Sequence, residues 1–201
     1  MSSSAYGEHF QKNLRYIECA LASIDNDAFS ILVSDCEKTL RAGHKIIATG
    51  LGKNVPICEK FVGSMVSMGM DAAFLHTNSA VHGDMGVVYP GDLVIVLTKS
   101  GSTEESVYLV DLLQKREGTS LWLLSGNKES ILTRQIENQI IFNLEREGDQ
   151  WNVVPNNSTV VNLIILQELA MELAVRMGIT RMQFNSNHPG GAIGEAARHG
   201  K

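Results

Sequence analysis

Short apolar runs alternate with longer amphipathic stretches along most of this chain. A short apolar run bounded by Gly, Pro or Asp is typical of a buried strand, whereas apolar positions three to four residues apart are typical of a helix. Strands that alternate with helices form parallel sheets. The pattern therefore predicts an α/β fold, a three-layer α/β/α sandwich around a five-stranded parallel sheet. The five strands are predicted at Lys45–Thr49, Ala72–His76, within Val88–Leu97, at Thr119–Leu124 and at Gln139–Asn143.

The amphipathic stretches predict the helices of the outer layers. Asp25-Asn26-Asp27 separates the first two helices and provides an N-cap, and Gly69 and Gly178 follow the ends of two others. Asn157 or Ser158 is the predicted cap of the last long helix. We expect a single domain, with N-terminal helices at about 8–41, an α/β core at about 44–178 and a C-terminal segment at 185–201. The helices are predicted at 8–24, 27–41, Val55–Met68, Glu104–Lys115, Ser130–Glu137 and Ser158–Met177.

Composition and charge narrow the classes of partner. With 44% hydrophobic and 19% charged residues among 201, the chain can bury a sizeable core and is not a disordered chain. The net charge is −5 without any basic run, so we expect neither nucleic acid nor a membrane as a partner. We expect no signal peptide, and Val160–Met177 carries too many polar residues for a membrane span. An odd number of cysteines without CxxC spacing favours a cytoplasmic protein over a disulfide scaffold.

The loop after the third strand has the composition of an anion site. Leu93–Leu97 leads into Thr98-Lys99-Ser100-Gly101-Ser102-Thr103, a cluster of hydroxyls around one glycine, and a helical pattern follows. Backbone N–H groups at a helix N-terminus bind anions, and a glycine lets a ligand approach the backbone closely. The loop therefore predicts a phosphate cradle. An ordinary strand-to-helix turn with a Ser or Thr N-cap is the alternative.

Two further loops lie at the same predicted sheet edge. Gly50-Leu51-Gly52-Lys53-Asn54 follows the first strand, but its GxGK pattern completes neither the Rossmann nor the Walker motif, and a tight turn with a solvated lysine is the alternative. His82, in a His-Gly-Asp sequence after the second strand, is an acid/base candidate or a locally hydrogen-bonded side chain. Ligands of parallel sheets bind beyond the carboxyl ends of the strands, so these loops predict a site there.

Two more candidates come later in the chain. Glu147 follows the fifth strand at the same edge, although a lone glutamate in a loop is usually a solvated surface residue. His188 precedes Pro189-Gly190-Gly191, where a rigid backbone would suit a positioned imidazole. A plain turn with an incidental histidine is the alternative for this segment.

Together these segments resemble the sugar isomerase (SIS) domain family, which has a flavodoxin-like fold, and within it the D-arabinose-5-phosphate isomerases. The resemblance runs from about residue 10 to 195 and rests on motifs in the family's order. They are Gly50-Leu51-Gly52-Lys53, Ala80-Val81-His82-Gly83-Asp84-Met85-Gly86, Ser100-Gly101-Ser102 with Glu105, Glu147, Pro155 to Ser158-Thr159, and His188-Pro189-Gly190-Gly191-Ala192. The chain departs from the family at Asn54, at Thr77-Asn78-Ser79 and at Asn156-Asn157, which bears on sugar specificity more than on reaction type.

The resemblance implies an isomerase that interconverts an aldose phosphate and a ketose phosphate, namely D-arabinose 5-phosphate and D-ribulose 5-phosphate, through an enediol. It implies catalytic roles for Lys53, His82, Glu105, Glu147 and His188. We expect Lys53 to neutralise the developing enediolate, and the base to be Glu147, then His188, then Glu105 in order of preference. The residues expected to contact the substrate are Gly50, Gly52, Asn54, Thr98, Ser100, Gly101, Ser102, Thr103, Ser158 and Thr159.

No cofactor is expected, because a Glu and a His suffice for such an isomerisation in triosephosphate isomerase, a worked case of this chemistry. Two carboxylates and two imidazoles could also bind zinc, which we interpret as inhibitory. The alternatives are a phosphosugar-binding sensor module and an isomerase of another sugar such as a hexulose 6-phosphate. Long family members carry two CBS domains; this sequence ends at Lys201, so we expect no regulation by them.

We also expect a homotetramer whose active sites are shared between subunits. The helix Ser158–Met177 is apolar over most of its circumference, with polar positions narrowing to Glu168, Glu172 and Arg176. A helix of this kind must be covered on its outer face. The N-terminal helices could cover it, and the family resemblance favours a partner subunit, with His188 or His82 reaching into a neighbour's pocket.

Overall fold

A computed structural model describes residues 3–199 of the chain. It contains five parallel strands in the order β2-β1-β3-β4-β5, flanked by helices, which confirms the predicted sandwich and sheet. Every predicted strand is present, and β1 and β3 are buried along their whole length. The strands are β1 (Ile46–Gly50), β2 (Ala72–His76), β3 (Leu93–Thr98), β4 (Ser120–Ser125) and β5 (Gln139–Ile141).

The helices form two layers on opposite faces of the sheet. One core packs the sheet against α1, α2, α3 and α7 around residues such as Phe61 and Leu169, and the other packs it against α4, α5 and α6 around Leu109 and Leu132. The helices are α1 (Ser3–Ala22), α2 (Asn26–Arg41), α3 (Val55–Ser67), α4 (Thr77–Ala80), α5 (Glu104–Gln114), α6 (Ile131–Gln135), α7 (Asn157–Arg176), α8 (Arg181–Ser186) and α9 (Gly191–Arg198).

The strand order creates one switch point. β1 lies between β2 and β3, so the chain leaves β1 toward one side of the sheet and leaves β3 toward the other. At the carboxyl ends of two such strands the outgoing loops separate and leave a crevice. Residues after Gly50 and after Thr98 border this crevice, as the pattern of the sequence predicts.

The boundaries differ from the sequence expectation at several places. Asp25 caps α2, accepting the N–H groups of Asp27 and Ala28, as predicted. The cap of α7 was predicted wrongly: α7 begins at Asn157, and Asn156 in the N-cap position makes no side-chain capping bond. The short helices α4, α8 and α9 lie in segments for which we predicted no helix, because each spans only one or two turns and carries little periodic pattern.

The packing of α7 shows which part of its apolar surface is buried in the core and which part is exposed. This helix is long and apolar enough to meet a length-and-hydropathy criterion for a membrane span. Its polar residues had predicted that it would not. In the fold it is a core helix, with Val161, Ile165, Leu169 and Leu173 buried on one face. The helices α1, α2 and α3 cover that face, yet an outer stripe remains exposed. The stripe consists of Val160, Ile164, Met171 and Val175.

Candidate functional site

The crevice at the switch point is a cleft of about 360 Å³. The turn after β1 forms one wall and the loop after β3 the other, while Ser158 in the first turn of α7 and the preceding Pro155 close one end. Among residues 3–199, the charged residues that line it are Lys53 and Lys99, so a chain of net negative charge presents two ammonium groups to this cleft. The lining comprises Leu51, Gly52, Lys53, Asn54, Leu97, Thr98, Lys99, Ser100, Thr103, Ser106, Pro155 and Ser158.

The hydroxyl loop after β3 is held in one shape by its own side chains. The buried Oγ1 of Thr98 accepts the N–H of Gly101 at 3.0 Å. Gly101 has φ 65°, and a Cβ there would collide with the side chain of Ser130, so only glycine fits. The hydroxyls of Ser100 and Thr103 lie 3.3 Å apart on the cleft side of this turn. Thr98 therefore shapes the loop, whereas Ser100 and Thr103 line the cleft, where their hydroxyls can turn from each other to a ligand.

The N-terminus of α5 is open toward the same loop. Thr103 is its N-cap residue, but its side chain makes no capping hydrogen bond. The N–H groups of a first helical turn have no partner within the helix and carry the positive end of the helix dipole. The loop and the helix end together offer hydroxyl and N–H donors, which is the arrangement expected of a phosphate cradle.

On the opposite wall, the turn after β1 places a lysine without an ion pair among the described residues. Lys53 lies in a 3₁₀ turn over Gly52–Asn54 and is exposed. The side chain of Asn54 accepts the Nδ2 of Asn162 at 3.0 Å and directs its own Nδ2 toward the carbonyl oxygen of Leu97 at 3.5 Å. Asn162 is fully buried in α7, so this pair ties the turn to the helix beneath the cleft.

Glu147 is not the solvated residue that its loop position suggested, because its side chain is only 1% exposed. One carboxylate oxygen lies 2.7 Å from the Nζ of Lys99. The other accepts the N–H groups of Asn156 and Ser158 at 3.0 and 2.9 Å, so Glu147 caps α7 from outside the helix. Burial raises the pKa of Glu147, but hydrogen bonds from Lys99, Ser158 and Asn156 outweigh it and hold the pKa below its usual value.

The loop between Glu147 and α7 is braced from within. The carboxylate of Asp149 accepts the N–H groups of Trp151, Val153 and Val154 at 2.9 to 3.0 Å. Asn152 adopts φ 58° and accepts the N–H of Glu147 at 2.7 Å. The bracing fixes Pro155 at the cleft and leaves large apolar side chains turned outward. These are Trp151, Val153 and Val154.

The residues that form this cleft lie within a known protein family domain. The sequence profile of the SIS domain matches residues 39–172, which include both walls of the cleft and most of α7. The chain belongs to the SIS domain family. The match spans the sheet, the hydroxyl loop, Glu147 and Ser158.

Relatives of the SIS chain include the arabinose 5-phosphate isomerase KdsD of Pseudomonas aeruginosa, which is 35% identical over 178 residues. That match covers 89% of this chain and 53% of the relative, so the chain spans about half the length of the curated relatives it matches. Among solved structures, c3406 of Escherichia coli CFT073 in complex with A5P has a TM-score of 0.85 at 27% identity, covering 94% of this chain and all of that one.

A more distant solved structure shares this fold at low sequence identity. The Vibrio vulnificus NanR protein complexed with ManNAc-6P superposes with a TM-score of 0.72, covering 98% of this chain and 69% of that one, at 14% identity. A likeness at this identity shows the shared fold alone. The function therefore has to be inferred from the residues of the cleft and not from the fold.

Seven of the expected site residues line the cleft of this SIS domain, and others lie around it. Ser102 turns its hydroxyl toward the N–H of Ile131, and Thr159 donates to the carbonyl oxygen of Asn156 at 2.6 Å. Gly50 and Gly101 are buried beneath the two walls. The seven that line it are Gly52, Lys53, Asn54, Thr98, Ser100, Thr103 and Ser158.

The remaining acid/base candidates are not gathered in the cleft. Glu105 is exposed in the first turn of α5, beside two lining residues, and His82 is exposed in the turn after α4. His188 lies far away: its ring stacks on Phe184, its Nδ1 lies 2.8 Å from that residue's carbonyl oxygen, and the neighbouring Asn187 bonds the carbonyl of Ser67. Ser67 ends α3, about 18 Å along the helix from the cleft at the rise per residue of an α-helix.

Several residues in or beneath the cleft received no role from the sequence, and Lys99, Asn162 and Pro155 are the most informative of them. Lys99 was read as part of the hydroxyl loop and not as a charge on the cleft wall. Asn162 was counted only as a polar residue of a long helix, although a lone Asn amid apolar residues is a recognisable signal of a buried polar contact. Pro155 was noted only as part of a family motif.

The described residues contain no group of three His, Cys, Asp or Glu side chains close enough to hold a metal ion. In particular, Glu147 is engaged with Lys99, and His188 lies at the far end of α3. The set of two carboxylates and two imidazoles considered from the sequence is thus not assembled within one chain.

Proposed function

We propose that this SIS domain is a sugar-phosphate isomerase, with D-arabinose 5-phosphate and D-ribulose 5-phosphate as its substrate pair. The observation that carries the proposal is the cleft itself. It combines a hydroxyl loop, an open helix N-terminus and two lysines at the switch point of the sheet. The 35% identical isomerase of Pseudomonas aeruginosa and the c3406 complex with A5P support this substrate class.

The phosphate fits the wall formed by the loop after β3. Ser100 and Thr103 supply hydroxyl donors, and the first turn of α5 supplies N–H groups. With the phosphate there, the sugar carbons extend across the cleft toward Lys53. An ammonium group at that place stabilises the enediolate that forms when the proton leaves C2.

The geometry changes the order in which the candidate bases are preferred. A general base works best with a pKa near the working pH, and it needs a free oxygen or nitrogen at the reacting carbon. Both carboxylate oxygens of Glu147 are engaged and its pKa is lowered. Glu105 is exposed beside the cleft, so we place it first, His188 second and Glu147 third. His82 is assigned to ring opening.

The proposed role of His188 requires a second subunit. In its own chain it lies at the opposite end of α3 from the cleft. Apolar residues stand exposed on α1, where Tyr6, Phe10 and Leu14 follow each other at a spacing of four. Together with the exposed stripe of α7, they form surfaces suited to self-association. We propose a homotetramer in which each cleft receives His188 from a neighbour.

An activity screen tests the proposed function. The purified protein is incubated with pentose and hexose phosphates, and products are separated by chromatography. The proposal expects conversion of arabinose 5-phosphate to ribulose 5-phosphate, and loss of this conversion in Lys53→Met. Conversion of a hexulose 6-phosphate alone would change the assigned sugar, and binding without conversion of any sugar phosphate would indicate a sensor module.

A further inference from the structure

Lys99 is the one charged residue of the cleft wall that is held in place by another charge. It follows Thr98, the buried last residue of β3, so its backbone is fixed by the sheet. Its Nζ lies 2.7 Å from a carboxylate oxygen of Glu147, yet its side chain is still 44% exposed. An ammonium group has three donors, and this contact uses one. The remaining donors are available to the cleft, next to Ser100.

Hydrogen bonds fix the backbone of Glu147 and one of its two carboxylate oxygens, and the other oxygen lies against Lys99. Its N–H donates to Asn152 at 2.7 Å, and its carbonyl oxygen accepts the Nδ2 of Asn156 at 2.9 Å. Its second carboxylate oxygen accepts two N–H groups at the start of α7. A buried carboxylate so fixed is a rigid anchor, and its remaining oxygen faces the ammonium group of Lys99.

The same fold contains a matched pair that shows what a purely structural arrangement looks like. Asp92 is 1% exposed, accepts the N–H groups of Lys45 and Tyr89 at 3.0 and 2.8 Å, and binds the Nζ of Lys45 at 2.8 Å. There the ammonium also lies over the ring of Tyr89, 4.5 Å from its centroid, and the lysine is only 15% exposed. This pair precedes β1 and β3, at the opposite edge of the sheet from the cleft. Unlike the side chain of Lys45, that of Lys99 is partly exposed, and its exposed part faces the cleft.

From this contrast we infer that Lys99 is a phosphate-binding residue of the cleft and that Glu147 is the positioning residue that holds its ammonium there. The inference rests on the proposed function, since it assigns the anionic end of the same substrate. It gives the two lysines different roles. Lys99 binds the phosphate beside the hydroxyl loop, and Lys53 stabilises the enediolate from the other wall.

The test measures binding of inorganic phosphate by ³¹P NMR titration, together with KM and kcat for arabinose 5-phosphate. Lys99→Met should weaken phosphate binding and raise KM by at least about tenfold, with kcat changed less than about threefold. Lys99→Arg keeps the charge and should stay within about fivefold of the wild type. Glu147→Gln should weaken phosphate binding less than Lys99→Met does, and it should change KM for arabinose 5-phosphate by a larger factor than kcat.

The double variant gives the sharpest result. If Glu147 acts through Lys99, then Lys99→Met with Glu147→Gln should bind phosphate no more weakly than Lys99→Met alone, because residues that act as a unit are not additive. Lys45→Met is the control: it breaks the matched pair, and it should lower the melting temperature while leaving phosphate affinity unchanged.

Two outcomes would overturn the inference. Unchanged phosphate affinity in Lys99→Met would remove Lys99 from the site. A loss of turnover of about 100-fold or more at saturating substrate in Glu147→Gln would make Glu147 the base and not the positioning residue, whatever its effect on affinity. The phosphate titration needs no turnover, so failure of the proposed isomerase activity in the wild type would be seen separately.

Discussion

The phosphate cradle makes the first quantitative prediction, through the double variant Ser100→Ala with Thr103→Ala. Each hydroxyl that binds a dianionic phosphate contributes a charge-assisted hydrogen bond, typically about 1.5–3 kcal/mol. Two such bonds set an upper range of about 3–6 kcal/mol. The cleft is open to water, and the N–H groups of α5 and Lys99 remain, so we expect a loss below this upper range but of at least about 1.4 kcal/mol, or about tenfold weaker binding.

The fold should survive this change. Ser100 is exposed and Thr103 makes no capping hydrogen bond, so the changes remove only the contact between the two hydroxyls and one long hydrogen bond of 3.4 Å from the N–H of Ser102. Substitutions of this kind usually alter stability by about 0.5 kcal/mol or less. Thermal unfolding of the variant should therefore coincide closely with that of the wild type.

Calorimetry with arabinose 5-phosphate provides the assay, and Ser102→Ala provides the control. Ser102 belongs to the same loop and has the same hydroxyl, but it faces the N–H of Ile131 instead of the cleft. Its loss should leave affinity within about twofold of the wild type, since no hydrogen bond to the ligand is removed. Unchanged affinity in the double variant, or an equal loss in Ser102→Ala, would refute the assignment of the cradle to Ser100 and Thr103.

Three further predictions follow from individual side chains. The pKa of Glu147 is lowered in the folded state, so the ionised carboxylate stabilises the fold relative to Glu147→Gln. This difference in the free energy of unfolding should be complete above about pH 5 and should vanish as the pH falls through the folded-state pKa. Urea unfolding of both proteins at several pH values measures it. Gly101→Ala should abolish phosphate binding and destabilise the fold, because its Cβ would collide with Ser130. Gly52 has a similar φ of 61° but open space around a Cβ, so Gly52→Ala should lower the free energy of unfolding in urea by only about 1 kcal/mol, the cost of backbone strain. Mixing inactive Lys53→Met and His188→Ala subunits should restore part of the activity if the cleft is shared, and no recovery after verified subunit exchange would contradict the shared site.

The sheet and its switch point were predictable because they depend on local patterns. Buried parallel strands read as continuous apolar runs, and Leu93–Leu97 shows this clearly. The same patterns place the loops after β1 and β3 at one edge, and thereby predict that Lys53 and Ser100 face one crevice. Position after the fifth strand and a rigid Pro-Gly-Gly segment made Glu147 and His188 candidates, and the family resemblance implied their catalytic roles.

The details that were missed depend on contacts between distant parts of the chain. Nothing near Glu147 in sequence indicates that its carboxylate caps a helix that begins ten residues later, nor that its partner is Lys99. The displacement of His188 from the cleft likewise follows from how α8 packs at the end of α3. Local pattern fixes which residues reach an edge of the sheet, but tertiary packing decides which of them meet.

Proton exchange during turnover tests the central claim most directly. The wild-type protein is incubated with arabinose 5-phosphate in D₂O and followed by ¹H NMR. An isomerase that works through an enediol should form ribulose 5-phosphate with deuterium at C1, and the reverse reaction should replace the C2 proton of arabinose 5-phosphate with deuterium. Lys53→Met should slow both processes together. Binding of the sugar phosphate by the wild type with neither product nor exchange would contradict the account and identify the domain as a phosphosugar-binding module.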